Sequence, residues 1–180
     1  SIIGNDKLGK FVIKELKPKI DFNYYVDETK PTTNKNAIIC DSQRLLKVDR
    51  LDNRPISQDA LDFVVDNIKE SESEITLFCD FRHGIFNQQS VNILKKAINK
   101  KSFKIADSQV ASRWGCITDF ENFDLVTPNE REARFALADQ DSTVGRLSQI
   151  LTDKINCKNL ILKLGSKGVF CKTSIKNSID

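Results

Sequence analysis

The chain has 180 residues, 39% of them hydrophobic and 29% charged, the balance of a soluble globular domain with a core of its own. Its 28 basic and 25 acidic residues leave a net charge of only +3, with both signs interleaved along the chain, so no nucleic-acid footprint is visible. No stretch approaches the roughly 20 apolar residues that cross a bilayer, and Ser1-Ile2-Ile3-Gly4 does not open a signal segment, so the expectation is a cytoplasmic protein with no membrane partner.

In chain order, a short helix is predicted near Leu8 to Leu16, then strand-like pieces at Phe22 to Val26, Thr32 to Cys40 and Gln43 to Asp49. Leu45-Leu46-Lys47-Val48-Asp49 does not read as buried on both faces, so residues 20–52 are expected to form a small antiparallel sheet projecting from the main one, a lid or an oligomer contact. From Asp59 onward two periodicities alternate. Leu61, Val64, Val65 and Ile68 share one helical face, and Ile75-Thr76-Leu77-Phe78-Cys79 reads as a buried strand ending at Asp80. Val91, Leu94 and Ile98 mark the next helix, Phe103 to Ala106 a strand ending at Asp107, and Phe123 to Val126 a strand ending at Thr127. Helices over Glu130 to Leu137 and Val144 to Ile155 precede a last strand, Asn159 to Leu164. Strands separated by helices of this length imply right-handed crossovers and a mostly parallel α/β sheet.

The five cysteines (Cys40, Cys79, Cys116, Cys157 and Cys171) are odd in number and widely spaced, with no Cys-x-x-Cys pair and only one histidine to help them. Buried free thiols are expected rather than a metal site.

Ligands of open parallel sheets bind beyond the carboxyl ends of the strands. The residues there are Asp80, Asp107, Thr127-Pro128-Asn129 with Glu132, and Gly165. Each also has an ordinary reading, because Asp and Asn favour turns. Asn129 and Glu132 sit one helical turn apart, a spacing that can order water around a hard cation such as Mg²⁺ and that equally makes a helix-capping box. Leu164-Gly165-Ser166-Lys167-Gly168 can bring backbone amides close to phosphate, or can turn a plain hairpin. It is not a Walker A loop, and no G-x-G-x-x-G occurs in the chain. His83, just past a strand end in Asp80-Phe81-Arg82-His83-Gly84, reads either as a phosphate-binding or catalytic group or as a solvated loop histidine.

Read together and in order, these segments resemble the PfkB/ribokinase family of carbohydrate kinases, and most of all the kinase domains of ADP-heptose synthases. Gly4-Asn5-Asp6-Lys7-Leu8-Gly9 resembles that family's early G-x-D-x-x-G turn, Pro31-Thr32-Thr33-Asn34-Lys35 its lid strand, and Gln43 to Asp49 the strand that follows. Asp80 to Gly84 stands where the family has Asp-Tyr-Gly-Lys-Gly, and Ala106-Asp107-Ser108-Gln109 where it has an Asp-Pro-Lys segment. Thr127 to Glu132 is similar to its Asn-x-x-Glu signature, and Lys163 to Gly168 to its T-x-G-x-x-G nucleotide loop.

The resemblance implies a single partial kinase domain over residues 1–180, incomplete at both ends, with residues 20–52 as a β lid that doubles as a homodimer clasp. It implies transfer of the γ-phosphoryl of ATP to a hydroxyl of a sugar or sugar phosphate, with Mg²⁺ as the counter-ion. Asn129, Glu132, Lys163, Gly165 and Gly168 would serve nucleotide and magnesium, with no direct metal ligand, and Lys35, Asp80, His83 and Asp107 would face the substrate. The family's catalytic Asp, in a Gly-Ala-Gly-Asp stretch, does not occur in these residues, so none of them is assigned as the base. His83, Gln109 and Ala37 stand where basic residues are usual, and Lys163 stands where Thr is usual. A non-catalytic regulator of the same fold that binds a nucleotide or sugar phosphate is the alternative, and an unrelated doubly wound binding domain is a third reading.

Overall fold

The computed structural model describes residues 1–109 and 117–173, so Cys116, one of the expected buried thiols, lies outside it. The described residues form two compact units, one made of Ser1–Ile68 with His83–Ile85, the other of Lys69–Arg82 and the chain from Phe86 onward.

The first unit opens with strand β1 (Ile2–Gly4), helix α1 (Lys7–Leu16) and strand β2 (Tyr25–Asp27). β1 and β2 pair in parallel, Ile2 with Tyr25 and Gly4 with Asp27, so the strand expected over Phe22 to Val26 belongs to a β-α-β unit and not to the antiparallel sheet. Three-residue strands are too short to announce themselves by periodicity. Gly4, Asp6 and Gly9 each have a structural duty here, Asp6 through hydrogen bonds and the glycines through close backbone approach. One carboxylate oxygen of Asp6 caps α1 by accepting from the Gly9 N–H (2.8 Å), and the other accepts from the Thr32 N–H (2.9 Å). A Cβ on Gly9 would lie 2.3 Å from the Gly4 carbonyl oxygen, and one on Gly4 would lie 2.4 Å from that of Lys30.

Strands β3 (Asn34–Cys40) and β4 (Gln43–Arg50) form the expected antiparallel ribbon, with a bulge between Ile38 and Ile39. Its turn is Asp41-Ser42, both at positive φ (48° and 65°), the mirror-image geometry that matches the twist of a hairpin. Pairing of Ile38 with Leu46 and of Asn36 with Val48 gathers apolar side chains on one face, while Lys35 opposite Asp49 and Ala37 opposite Lys47 make the other. Ile38, Ile39, Leu46 and Val48 are all at least 49% exposed. Helix α2 (Gln58–Glu70) follows.

The second unit is a five-stranded sheet in the order β5 (Ile75–Asp80), β6 (Phe103–Ser108), β7 (Leu125–Val126), β8 (Asn159–Lys163), β9 (Val169–Thr173). β5 to β8 are parallel, and β9 returns antiparallel to β8. Between them come helices α3 (Gln88–Ala97), α4 (Glu130–Leu137) and α5 (Val144–Ile155). Each starts on a side-chain cap, Asn87, Asn129 and Thr143, and α4 and α5 stop at left-handed residues, Ala138 and Asn156. Val91, Leu94, Ala133, Leu147, Leu151 and Ile155 from these helices are buried, as are Phe78, Ala106, Val126, Leu160 and Leu162 from the sheet. Phe78 lies at the middle of a ring cluster, 5.2 Å from Phe86 and 5.5 Å from Phe123 between centroids.

The strand Ile75 to Cys79, expected to be buried, is buried on one face only. Phe78 is 4% exposed, but Ile75 and Leu77 are more than half exposed. The physical reason is that the helices of this unit cover only the face carrying Phe78, Ala106 and Val126. No helix among the described residues is long and apolar enough to cross a membrane.

The described thiols are free but not uniformly buried. Among the described residues Cys40, Cys79 and Cys171 are exposed and only Cys157 is buried, which corrects the expectation. Burial pushes the Cys157 thiol up to about 11. Alkylation of the native protein at pH 8 should therefore modify Cys40, Cys79 and Cys171 and spare Cys157 until denaturant is added; peptide mass spectrometry reads this, and equal native labelling of Cys157 would contradict its packing. A second measurement concerns α1. Gly9→Ala should lower the unfolding free energy by about 2–4 kcal/mol in urea denaturation, because its methyl group would meet backbone that cannot yield cheaply.

Candidate functional site

Because β5 to β8 are parallel neighbours, their carboxyl ends share one edge, and Asp80, Asp107, Thr127 and Lys163 lie along it. The two-residue period of a strand then divides these side chains between the sheet's faces. Asp80 pairs with Ser108 and Cys79 with Asp107, so Asp80 and Ser108 turn toward the helices while Asp107 turns to the open face.

Asp80 is 1% exposed and fully engaged. Its Oδ1 accepts from the Arg82 N–H (2.8 Å), and its Oδ2 accepts from the Arg82 guanidinium (2.6 Å) and from the Ser108 hydroxyl (2.9 Å). A buried carboxylate with a bonded cation and two further donors is electrostatically settled. It fixes the turn after β5, where Arg82 has positive φ (60°).

On the open face a single oxygen of Asp107 accepts from the Thr127 hydroxyl (3.0 Å) and from the Lys163 ammonium (2.8 Å). Beside this group the start of α4 is tied to the end of β8, because the Lys163 N–H donates to the Pro128 carbonyl (2.9 Å) and Asn129 makes a parallel bridge with Lys163. Asn129 and Glu132 form the capping box in full. The Asn129 amide oxygen accepts from the Glu132 N–H (2.8 Å), and Glu132 Oε2 accepts from the Asn129 N–H (2.7 Å). Glu132 is 6% exposed.

An open cleft of about 520 Å³ lies against this helix start, lined among others by Asn129, Arg131, Arg134, Phe135, Lys163 and Gly165. The motif reading of the sequence misses Arg131, Arg134 and Phe135. Their signal is present, since three positions on one side of a helix just after an Asn-x-x-Glu cap face whatever the cap faces. Arg134 is held by Glu130 (2.8 Å), whereas Arg131 is exposed and has no ion pair among the described residues. Gly165 and Gly168 adopt positive φ (63° and 89°) in the β8–β9 hairpin, and a Cβ at either would meet nothing within 4 Å. They are required by conformation, and the space beside them is open.

Thus Asn129, Glu132, Lys163, Gly165 and Asp107 come together, with Asp80 on the same edge but turned to the other face. Lys35 and His83 belong to the first unit. Lys35 is exposed on β3, and His83 places Nδ1 3.3 Å from the Asn53 side-chain oxygen. Among the described residues no group of three or more His, Cys, Asp or Glu side chains is arranged to hold a metal ion.

Residues 1–179 match the family described as pfkB family carbohydrate kinase. The chain belongs to that family. Among curated relatives, the bifunctional protein HldE of Helicobacter hepaticus is 26% identical over 152 residues, 79% of this chain and 31% of the relative. HldE of Helicobacter pylori strain J99 is 25% identical over 177 residues, 93% and 37% of the two chains. The chain therefore spans about a third of the length of these relatives. The pfkB assignment agrees with the fold of solved structures, which is ribokinase-like. Phosphofructokinase-2 from Escherichia coli in complex with fructose-6-phosphate superposes with TM-score 0.74 at 14% identity, covering 97% of this chain and 58% of that one. Ribokinase from Giardia lamblia gives TM-score 0.74 at 14% identity over 96% and 55%.

The capping role of Glu132 separates cleanly from any other. Glu132→Ala removes the acceptor for the Asn129 N–H and should cost about 1–2 kcal/mol of unfolding free energy, while Glu132→Gln keeps an acceptor there and should cost about half as much or less. Chemical denaturation of the two variants checks this.

Proposed function

We propose that this chain is the central part of an ATP-dependent carbohydrate kinase that phosphorylates a hydroxyl of a sugar or sugar phosphate. The observation that carries the reading is the cationic cleft at the carboxyl edge, where Lys163 and Arg131 flank the start of α4 beside the open glycine hairpin, in a chain of the pfkB family. Phosphoryl transfer needs alignment and charge neutralisation more than covalent chemistry, and these groups offer both.

In this reading Lys163 and Arg131 face the phosphates, and Gly165 and Gly168 leave room for the nucleotide. A magnesium ion that keeps most of its waters needs no protein cage; Asn129, which lines the cleft, would orient those waters, and Glu132, which accepts from the Asn129 N–H, would act through it. When bound, Mg²⁺ would supply counter-charge to the transferring phosphoryl group. Asp107 on the open face is assigned to the sugar side, and Lys35 and His83 are each separately proposed as substrate contacts; Asp80, held by Arg82 and Ser108 on the other face, serves the frame of the strand edge instead. None of these residues is assigned as the base; a Gly-Ala-Gly-Asp stretch outside the 180 residues fills that role in this proposal. Within the expected residues 20–52, the β3–β4 ribbon is proposed to act as the lid. The exposed apolar face of the β3–β4 ribbon supports a homodimer clasp, because an isolated two-stranded ribbon is at best marginally stable in water. The protein is proposed to work in the cytoplasm.

A second reading, a non-catalytic regulator that binds a nucleotide or sugar phosphate, is favoured by one set of observations. His83, Gln109 and Ala37 are uncharged or weakly basic at positions usually basic in the family, and Asp80 is sequestered by Arg82.

A thermal-shift titration of the intact protein with Mg-ATP, then with heptose 7-phosphate, fructose 6-phosphate and ribose, should raise the melting temperature with nucleotide and further with one sugar. A coupled assay should then show ADP release dependent on that sugar; binding without turnover would transfer the assignment to the regulator. In the same assay Glu132→Gln should lower the rate roughly tenfold at limiting Mg²⁺ and less at saturation. An unchanged magnesium dependence would remove Glu132 from the proposed role. Lys35→Ala should raise the sugar KM with little change for ATP.

A further inference from the structure

We infer that Asp107, Thr127 and Lys163 form an exchangeable ion pair, in which Asp107 holds the Lys163 ammonium at the strand edge and a polyphosphate entering the cleft takes it away. The inference rests on the reading that the cleft accepts a phosphorylated ligand, and assigns Asp107 as the positioning residue of that step.

Lys163 has a double membership. Its ammonium is bonded to Asp107 on the open face of the sheet, and the residue also lines the cleft at the start of α4. Its backbone cannot follow the ligand, being fixed to Pro128 and Asn129, so only the flexible stem is left to choose between two anions. The pair is also easy to break. Lys163 is 42% and Asp107 34% exposed, and ion pairs so open to water are weakly held. A single carboxylate therefore competes poorly with several phosphate oxygens that also meet Arg131. When Lys163 leaves, the Thr127 hydroxyl still donates to the same Asp107 oxygen, so the carboxylate is not stripped of partners. The contrast with Asp80 is informative, since Arg82 is 14% exposed against a carboxylate 1% exposed, and that pair is not available for exchange.

The consequence is a change of opposite sign at the two ends of one ion pair. With sodium tripolyphosphate as probe and isothermal calorimetry on the full chain without added magnesium, Lys163→Met should weaken binding about tenfold. Asp107→Asn, which frees the ammonium without altering shape, should tighten binding about threefold. In the double variant Asp107→Asn should have no further effect, and Lys163→Thr should reproduce the loss. Circular dichroism verifies that each variant is folded, and Asp107→Ser replaces Asp107→Asn if the latter is not. Absence of tripolyphosphate binding, weaker or unchanged binding in Asp107→Asn, or the same effect of that change with and without Lys163, each overturns the inference. Binding that follows the predicted pattern, with no affinity gain for Mg-ATP and no phosphoryl transfer, would sustain the exchange and defeat the kinase reading instead.

Discussion

Parallel pairing obliges the chain to return to the same end of the sheet before each new strand, and in the second unit it does so through α3 between β5 and β6 and through α4 and α5 between β7 and β8. Every strand of the run β5 to β8 therefore finishes on one edge, and the residues that follow the apolar runs meet there whatever their identity. The alternation of side chains along each strand then decides which of them touch. Asp80 and Asp107 are chemically the same group on adjacent strand ends, yet one is buried against an arginine and the other is open with a lysine, because they differ by one position in register. Charge, exposure and partner all follow from that single offset.

Much of this is legible in the order of the amino acids. The limits of α4 and α5 can be read correctly because the caps Asn129 and Thr143 and the apolar spacing agree on the same boundaries. The antiparallel ribbon is legible from alternation, and the convergence of four strand ends from the α/β pattern. Three features are not. The pairing of β2 with β1 depends on two strands of three residues, which carry no period. The one-sided burial of β5 is hidden because Ile75, Leu77 and Phe78 are all apolar, and composition cannot say which face is covered. The face to which Asp80 points requires the strand's register, which a run ending in Asp does not fix.

Two motifs that look like chemistry prove to have firm structural duties. Asp6 and its two glycines lock the first helix against Thr32, and Asn129 with Glu132 closes a capping box. Backbone donors from Gly9 and Thr32 hold the Asp6 carboxyl below its usual range, so its contribution is fully present at neutral pH and is lost as pH falls through that lowered value. A structural duty does not exclude a ligand. A capped helix start is rigid, and rigidity is what a phosphate site needs from its frame.

The bare face of the sheet has a consequence for handling the protein. Ile75, Leu77 and Val169 present apolar surface on that face, and β5 is the terminal strand of its sheet. Unpaired strand edges beside apolar faces are templates for adding another strand. Preparations in which this surface stays bare are expected to lose material with rising concentration and to be rescued by mild detergent. Crystals grown from them would tend to stack sheet against sheet.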